Sequence, residues 1–61
     1  MCEFTVIVDG EKIMEDVIYA SLDEEGVTLR DIIGATMLIG GAFVKRVDVM
    51  KTELILERSK K

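Results

Sequence analysis

Hydrophobic and polar residues alternate along most of this chain, which is typical of β-strands that bury one face and expose the other. The first alternation runs over residues 2–9 and puts Cys2, Phe4, Val6 and Val8 on one side. Turn-forming residues interrupt the pattern at short intervals, so a series of short strands is expected. The predicted strands cover residues 2–9, 11–16, 17–22, 27–33, 36–39, 42–50 and 53–57.

Most of the predicted turns carry a specific sequence signal. Asp9-Gly10 is a dipeptide that favours a type I′ hairpin turn, in which both central residues need a positive φ. The polar run 23–26 predicts another turn, and Gly40-Gly41 predicts a sharp bend or bulge. A helix over residues 12–22 is the competing prediction, because some apolar residues there fall near helical spacing. The Val-Ile-Tyr run at residues 17–19 and the lack of a clear helix cap favour a strand.

The strand pattern predicts the fold class. In the long strand 42–50, the residues Phe43, Val47 and Val49 share one parity and are expected on one face. Short strands separated by turns predict an all-β fold, either a small antiparallel barrel or a strongly bent sheet of the Sm-like or SH3-like kind. The chain has no proline and no recognisable linker or repeat, so residues 1–61 are predicted to form a single small domain.

The chain is short and has no covalent staple. It has 61 residues, 49% of them hydrophobic, and its single cysteine cannot form an intrachain disulfide. A domain of this size buries only ~60% of the surface that its unfolded chain exposes, and it usually needs disulfides, a structural metal or self-association. A second copy of the chain is therefore the predicted partner, which makes the protein a homodimer.

Charge and segment pattern bear on partners and compartment. Twelve acidic and eight basic residues give a net charge of −4, which opposes binding to a nucleic-acid backbone. The first residues lack the basic and apolar regions of a signal peptide. The longest mainly apolar run, residues 32–44, is too short for a membrane helix and contains three glycines. Since a free thiol is compatible with a reducing compartment, a cytoplasmic protein without membrane contact is predicted.

Cys2 offers the strongest metal chemistry in the sequence. Because the chain has no histidine, Ser-His and Cys-His catalytic pairs cannot form, and the protein is predicted not to be an enzyme. The Cys2 thiolate lies beside its own backbone nitrogen and the terminal amine of Met1. These atoms can form fused chelate rings, and such a planar nitrogen and sulfur donor set suits Ni(II) or Cu(II). Met1 and Cys2 are therefore the predicted metal ligands.

Three alternatives stay open at the level of sequence. Cys2 shares the face of Phe4 and Val6, so it can instead pack in the core as a small hydrophobe. If Met1 is removed in the cell, the amine belongs to Cys2, and two chains can complete a planar site of two nitrogen and two sulfur atoms. The alternative function is a small Sm-like RNA-binding module, because basic residues concentrate in the C-terminal third. These residues are Lys45, Arg46, Lys51, Arg58, Lys60 and Lys61.

The chain resembles the CooT family of very small proteins. The residues that carry the resemblance are Met1-Cys2, the Asp9-Gly10 turn, the Arg46-Val47-Asp48 step and the final strand 53–57, so it spans essentially the whole chain. The resemblance implies a homodimeric Sm-like or SH3-like barrel that binds Ni(II), with Cys2 as the required ligand. It also implies a role in maturation of the nickel-containing carbon monoxide dehydrogenase, which makes a nickel enzyme the implied client.

Overall fold

The computed structural model describes residues 3–59, which form six β-strands and no helix. The predicted all-β fold is confirmed. Accordingly, no helix long and apolar enough to cross a membrane occurs in the described range. The strands are β1 Phe4–Val8, β2 Glu11–Asp23, β3 Gly26–Asp31, β4 Thr36–Gly40, β5 Ala42–Asp48 and β6 Glu53–Arg58.

The six strands form one bent sheet in the order β4-β3-β2-β1-β6-β5. All neighbours are antiparallel except β1 and β6, which are parallel, so the sheet is mixed. A parallel pair needs a long connection, and strands β2 to β5 supply it. The edge strands β4 and β5 are not hydrogen-bonded to each other, so the described sheet does not close into a barrel. It is strongly bent, because β3 and β5 contact each other although they are distant in the sheet order.

Strand β2 unites two segments that the sequence predicts as separate strands. Its first half pairs with β1 and its second half pairs with β3. Asp16, between the two halves, has a φ of 59°, and the pairing register shifts between Val17 and Tyr19. A bulge of this kind bends a strand and increases its twist, which lets one strand serve both halves of the sheet. The competing helix prediction for residues 12–22 is wrong.

The core lies on the concave face of the bent sheet. Strand β3 contacts β5 across that face, although four strand spacings separate them in the sheet order. No charged or polar side chain of the described residues is buried. Burial of aliphatic side chains is therefore the main source of stability. The buried hydrophobic residues are Val6, Val8, Val17, Val27, Leu29, Ile39, Ala42, Leu54 and Leu56.

Glycine closes one corner of the sheet, where β4 turns into β5. Gly41 donates its N–H to the Glu25 carbonyl at 2.9 Å, and its own carbonyl accepts the N–H of Ser59 at 2.7 Å. Gly26 is buried beneath this corner with a φ of 144°. A Cβ atom on Gly26 would lie 2.2 Å from the Ile39 carbonyl oxygen, so no other residue fits without movement of the backbone. The corner therefore depends on glycine.

Two predictions about strand faces and ends are wrong. The register of β5 shifts between Val44 and Arg46, so Val44 and Val47 share a face while Phe43 points the other way beside Glu57. The predicted common face of Phe43 and Val47 fails because a bulge reverses the alternation. Strand β3 ends at Asp31, two residues before its predicted end, and β5 ends at Asp48. The apolar residues beyond these ends lie in exposed turns.

Candidate metal centre

The predicted metal ligands Met1 and Cys2 lie outside the described residues. The described chain starts at Glu3, immediately before β1. Glu3 and Phe4 follow Cys2 directly in the sequence, and their surroundings are the part of the described structure that is nearest to Cys2 along the chain.

Four chain segments meet around the start of β1, and together they are called the N-terminal end of the sheet: residues 3–5, 16–18, 31–35 and 47–52. Phe4 pairs with Val17 in the ladder between β1 and β2. Thr5 donates its backbone N–H to the Thr52 carbonyl at 2.9 Å. Ile32 donates its N–H to the Asp16 carbonyl, also at 2.9 Å. These bonds hold loop 48–52 beside the start of β1 and loop 31–35 beside the neighbouring part of β2.

An aspartate holds each of these two loops in a tight turn. In one loop, Asp31 Oδ1 accepts the N–H groups of Ile33 at 3.1 Å and Ala35 at 2.9 Å. In the other, Asp48 Oδ1 accepts the N–H of Lys51 at 3.0 Å. Short polar side chains favour turns because they can bond backbone N–H groups a few residues ahead. Both loops are thereby held in defined positions at the N-terminal end.

The two loops and their neighbours present apolar side chains to solvent. Ile33 is 87% exposed and Met50 is 94% exposed, which is unusual for such large hydrophobic residues. Single exposed hydrophobic residues are ordinary, but a group of them at one end of a small domain is typical of an interaction surface. We call this surface the apolar rim. Its members are Ile18, Ile32, Ile33, Val47, Val49 and Met50.

Sequence reasoning missed the apolar rim. Alternation alone assigned Ile33 and Val49 to strands, because an apolar residue at the right parity is read as a buried one. The available signal was the spacing of the aspartates: Asp31 and Asp48 each stand just before these residues and can form side-chain turns with them. Such turns end the strands early and leave the following apolar residues outside the core.

The acidic turn after β2 is not arranged as a metal site. Asp23 Oδ1 accepts the N–H groups of Glu25 at 2.9 Å and Gly26 at 3.3 Å, so this carboxylate stabilises the turn itself. Across residues 3–59, no group of three or more histidine, cysteine, aspartate or glutamate side chains comes together in a way that could hold a metal ion. The described residues therefore offer no competing site to the predicted ligands Met1 and Cys2.

Two of the basic side chains that motivated the RNA alternative are paired with acids. Lys45 Nζ lies 3.5 Å from a carboxylate oxygen of Glu57, and an Arg58 guanidinium nitrogen lies 3.6 Å from one of Asp9. Both pairs are substantially exposed and contribute little to stability. They do reduce the positive charge that a phosphate backbone would meet on these strands, so they do not favour the RNA alternative.

Comparisons with known proteins place the fold and the family. The family model described as CO dehydrogenase accessory protein CooT matches residues 1–57. A crystal structure from Carboxydothermus hydrogenoformans, provisionally assigned as CooT, is similar with a TM-score of 0.85 and 30% sequence identity, and the match covers 97% of this chain and 100% of that chain. No curated protein matches this chain. An accessory protein serves an enzyme and is not the catalyst, so the prediction that this chain is not an enzyme is confirmed. The chain belongs to the CooT family of CO dehydrogenase accessory proteins.

Proposed function

We propose that this chain binds Ni(II) as cargo through the Cys2 thiolate and the terminal amine, and supplies it to a nickel-containing CO dehydrogenase. The observation that carries this proposal is the family match, which begins at residue 1 and so includes Met1 and Cys2. An accessory protein that makes a nickel enzyme competent needs a way to hold nickel. In a chain without histidine, a thiolate with adjacent nitrogen donors is the donor set best suited to that ion.

The number of donors per chain depends on Met1. With Met1 retained, its amine, the Cys2 amide and the Cys2 sulfur supply three donors from one chain. With Met1 removed, each chain supplies one amine and one thiolate, and a second chain completes a planar set of four. With Met1 removed, formation of the homodimer therefore sets the number of donor atoms around the metal.

The apolar rim supports the homodimer. It lies at the end of the sheet where the chain begins, and a second copy seated there would remove large exposed side chains such as Ile33 and Met50 from water. The same contact would bring two N-termini together, as the site with two thiolates requires. A stable interface of standard size buries about 800 Å² on each partner. A reducing cytoplasm would keep both thiols available for the metal.

Addition of Ni(II) to the nickel-free protein with its native N-terminus tests this function. We expect thiolate-to-nickel charge-transfer bands in the ultraviolet that saturate near one nickel per two chains. Sedimentation under the same conditions should show a dimer at micromolar protein concentration. Absence of these bands would contradict nickel binding through Cys2, whereas a folded monomer that binds nickel would contradict only the shared site.

The terminal amine gives a second prediction, on pH and on the free N-terminus. Nickel affinity should rise between about pH 6 and pH 9, because a thiol with a pKa near 8.5 and an amine with a pKa near 8 must both lose protons to coordinate. Acetylation or an N-terminal extension should weaken binding without changing the fold. The measurement is a nickel titration of tagged and cleaved protein at one pH. Equal affinities would eliminate the amine as a ligand and leave Cys2 as a plain thiolate.

A further inference from the structure

We infer that the convex face of strands β2, β3 and β4 is the docking surface for the client enzyme, and that the pair Tyr19 and Arg30 anchors it by binding a carboxylate side chain of that enzyme. The inference deepens the proposed function and rests on it for the identity of the client, a CO dehydrogenase. It does not depend on which atoms bind nickel. It rests on the composition of this face, on the geometry of the pair, and on the absence of an ion pair at Arg30 within residues 3–59.

The strand register defines which residues share this face. Val27 and Leu29 of β3 are fully buried on the concave side, so Thr28 and Arg30, which alternate with them, point to the convex side. Residues that pair across an antiparallel ladder lie on the same face. One row across the three strands is therefore Tyr19, Arg30 and Thr36, and the next is Ser21, Thr28 and Leu38. We call these six residues the docking face.

The docking face differs in composition from the rest of the convex side. Its only charged residue is Arg30, and its large exposed side chains are Tyr19 at 46% and Leu38 at 51%. Protein interfaces are enriched in aromatic residues and arginine and depleted in lysine, aspartate and glutamate, and tyrosine and arginine are frequent hot spots. The docking face has this composition. The convex side of β5 and β6 instead carries charges of both signs, from Arg46, Asp48, Glu53 and Glu57.

The ring of Tyr19 positions the guanidinium of Arg30. The two residues are register partners on β2 and β3, and the guanidinium carbon lies 4.9 Å from the centre of the ring. A guanidinium that lies over a ring contacts it with its face and keeps its in-plane N–H groups for hydrogen bonds. Such a group binds a carboxylate through two parallel hydrogen bonds. The pair is therefore preorganised for a carboxylate, which reduces the entropic cost of binding.

No carboxylate of the described residues forms an ion pair with Arg30. Arg30 is the only base among residues 16–44, where five acids lie, yet none of the ion pairs within residues 3–59 includes it. The carboxylates of Asp23 and Asp31 instead accept backbone N–H groups of their own turns. A single carboxylate from a partner therefore finds its opposite charge at Arg30, whereas the surrounding acids would repel the many phosphates of a nucleic acid.

A second copy of the chain is the competing occupant of the docking face. The acidic turn 23–25 lies about 13 Å from Arg30 along β3, because four residues separate Gly26 from Arg30 and a strand rises about 3.3 Å per residue. In a two-fold pair, Arg30 of one copy meets this turn of the other only if the two faces run in opposite directions. The N-terminal ends of the two sheets would then lie at opposite ends of the contact. That arrangement would not assemble the nickel site that two chains share.

The docking face borders the N-terminal end of the sheet. The row of Tyr19, Arg30 and Thr36 directly adjoins segments 16–18 and 31–35 in the sequence, and both segments belong to that end. A client bound through this row therefore lies beside the end of the sheet from which the proposed nickel transfer starts. The docking face and the apolar rim have no residue in common, so a second copy can occupy the rim at the same time.

Binding of the full chain to nickel-free CO dehydrogenase from the same organism, measured by surface plasmon resonance, tests the inference. Arg30→Glu should weaken binding about 30-fold or more, as expected of an interface hot spot. Arg30→Lys keeps the charge but loses the planar fork, and should weaken binding about 10-fold. Tyr19→Phe keeps the ring and should bind like the parent chain, whereas Tyr19→Ala should not. Arg46→Glu makes the same charge change on the other half of the convex side, and this matched control should stay within about 3-fold of the parent chain.

Nickel binding separates the inference from the proposed function. Arg30→Glu should keep the thiolate-to-nickel bands and the sedimentation of the parent chain, because it alters neither the N-terminus nor the apolar rim. A chain that binds no nickel but docks through Arg30 would contradict the proposed cargo and support the docking face. If circular dichroism shows that Arg30→Glu does not fold, Arg30→Lys and Tyr19→Ala provide the test.

Four results would overturn the inference. They are no binding of the parent chain to the enzyme, equal binding by the parent chain and the Arg30 variants, a dimer that dissociates on Arg30→Glu, and Arg30-dependent binding of a single-stranded RNA oligonucleotide. The third result would assign the docking face to a second copy of the chain, and the fourth would assign it to nucleic acid.

Discussion

Replacement of Cys2 by serine is expected to abolish high-affinity nickel binding. A serine hydroxyl does not lose its proton near neutral pH as a thiol can, so the substitution removes the anionic sulfur ligand. Loss of partners that only support a metal ligand typically costs about 10–100-fold in affinity, and loss of the ligand itself should exceed that range. The measurement is a nickel titration monitored in the ultraviolet, in which Cys2→Ser should show no thiolate charge-transfer bands.

The matched control is the triple replacement of Asp23, Glu24 and Glu25 by their amides. It removes three acidic groups from a turn whose structural bonds come from Asp23, and it leaves the N-terminus intact. Nickel affinity should change little, since carboxylate oxygens favour harder cations such as magnesium and calcium. Loss of nickel binding in the triple variant with retention in Cys2→Ser would show that the metal centre is assigned to the wrong end of the molecule.

Gly26→Ala is expected to unfold most of the protein. The added methyl group would lie 2.2 Å from the Ile39 carbonyl oxygen and 3.0 Å from Gly40 Cα, both backbone atoms that cannot rotate away. Backbone strain at a φ of 144° adds to the overlap. Strain of this kind costs of order 1–3 kcal/mol, and overpacking typically costs a further 1–3 kcal/mol. The sum is comparable to the roughly 3–9 kcal/mol that stabilises a domain of this length.

Gly40→Ala is the control for this prediction. Gly40 does not have a positive φ, and the nearest atom to its added Cβ would be the Glu25 carbonyl oxygen at 3.9 Å, an ordinary contact. Its free energy of unfolding should change by less than about 1 kcal/mol. Urea unfolding followed by circular dichroism compares both variants with the parent chain. Equal stability of Gly26→Ala and Gly40→Ala would refute the view that the corner depends on Gly26.

Local sequence signals predict most of the strands and turns correctly. Alternation in residues 4–8 places Val6 and Val8 in the core, because a half-buried strand imposes a period of two. Asp9-Gly10 forms the expected hairpin turn, with φ values of 51° and 85° at its two residues. Gly40-Gly41 forms the expected corner. In each case the deciding physics acts between residues that are near in sequence, so the sequence alone is sufficient.

The errors arise where distant segments decide the outcome. The bulges at Asp16 in β2 and at Lys45 in β5 let each strand follow the curvature of the sheet, and neither has a distinct local signature. The parallel pairing of β1 with β6 joins segments 48 residues apart at Thr5 and Glu53, and no local pattern selects it. The exposed turns that contain Ile33 and Val49 differ from these cases, because Asp31 and Asp48 give a local turn signal that alternation alone overlooks.

The sequence by itself determined the all-β class, most of the turns and the choice of Cys2 with the terminal amine as the predicted metal ligands, because each rests on neighbouring residues and their chemistry. Only the tertiary structure decided that loops 31–35 and 48–52 both lie at the N-terminal end of the sheet, and that their apolar side chains form a rim there. It alone also decided that β4 and β5 are the two edges of the sheet. These features are set by which strands become neighbours, and that choice depends on burial of the whole core rather than on any one segment.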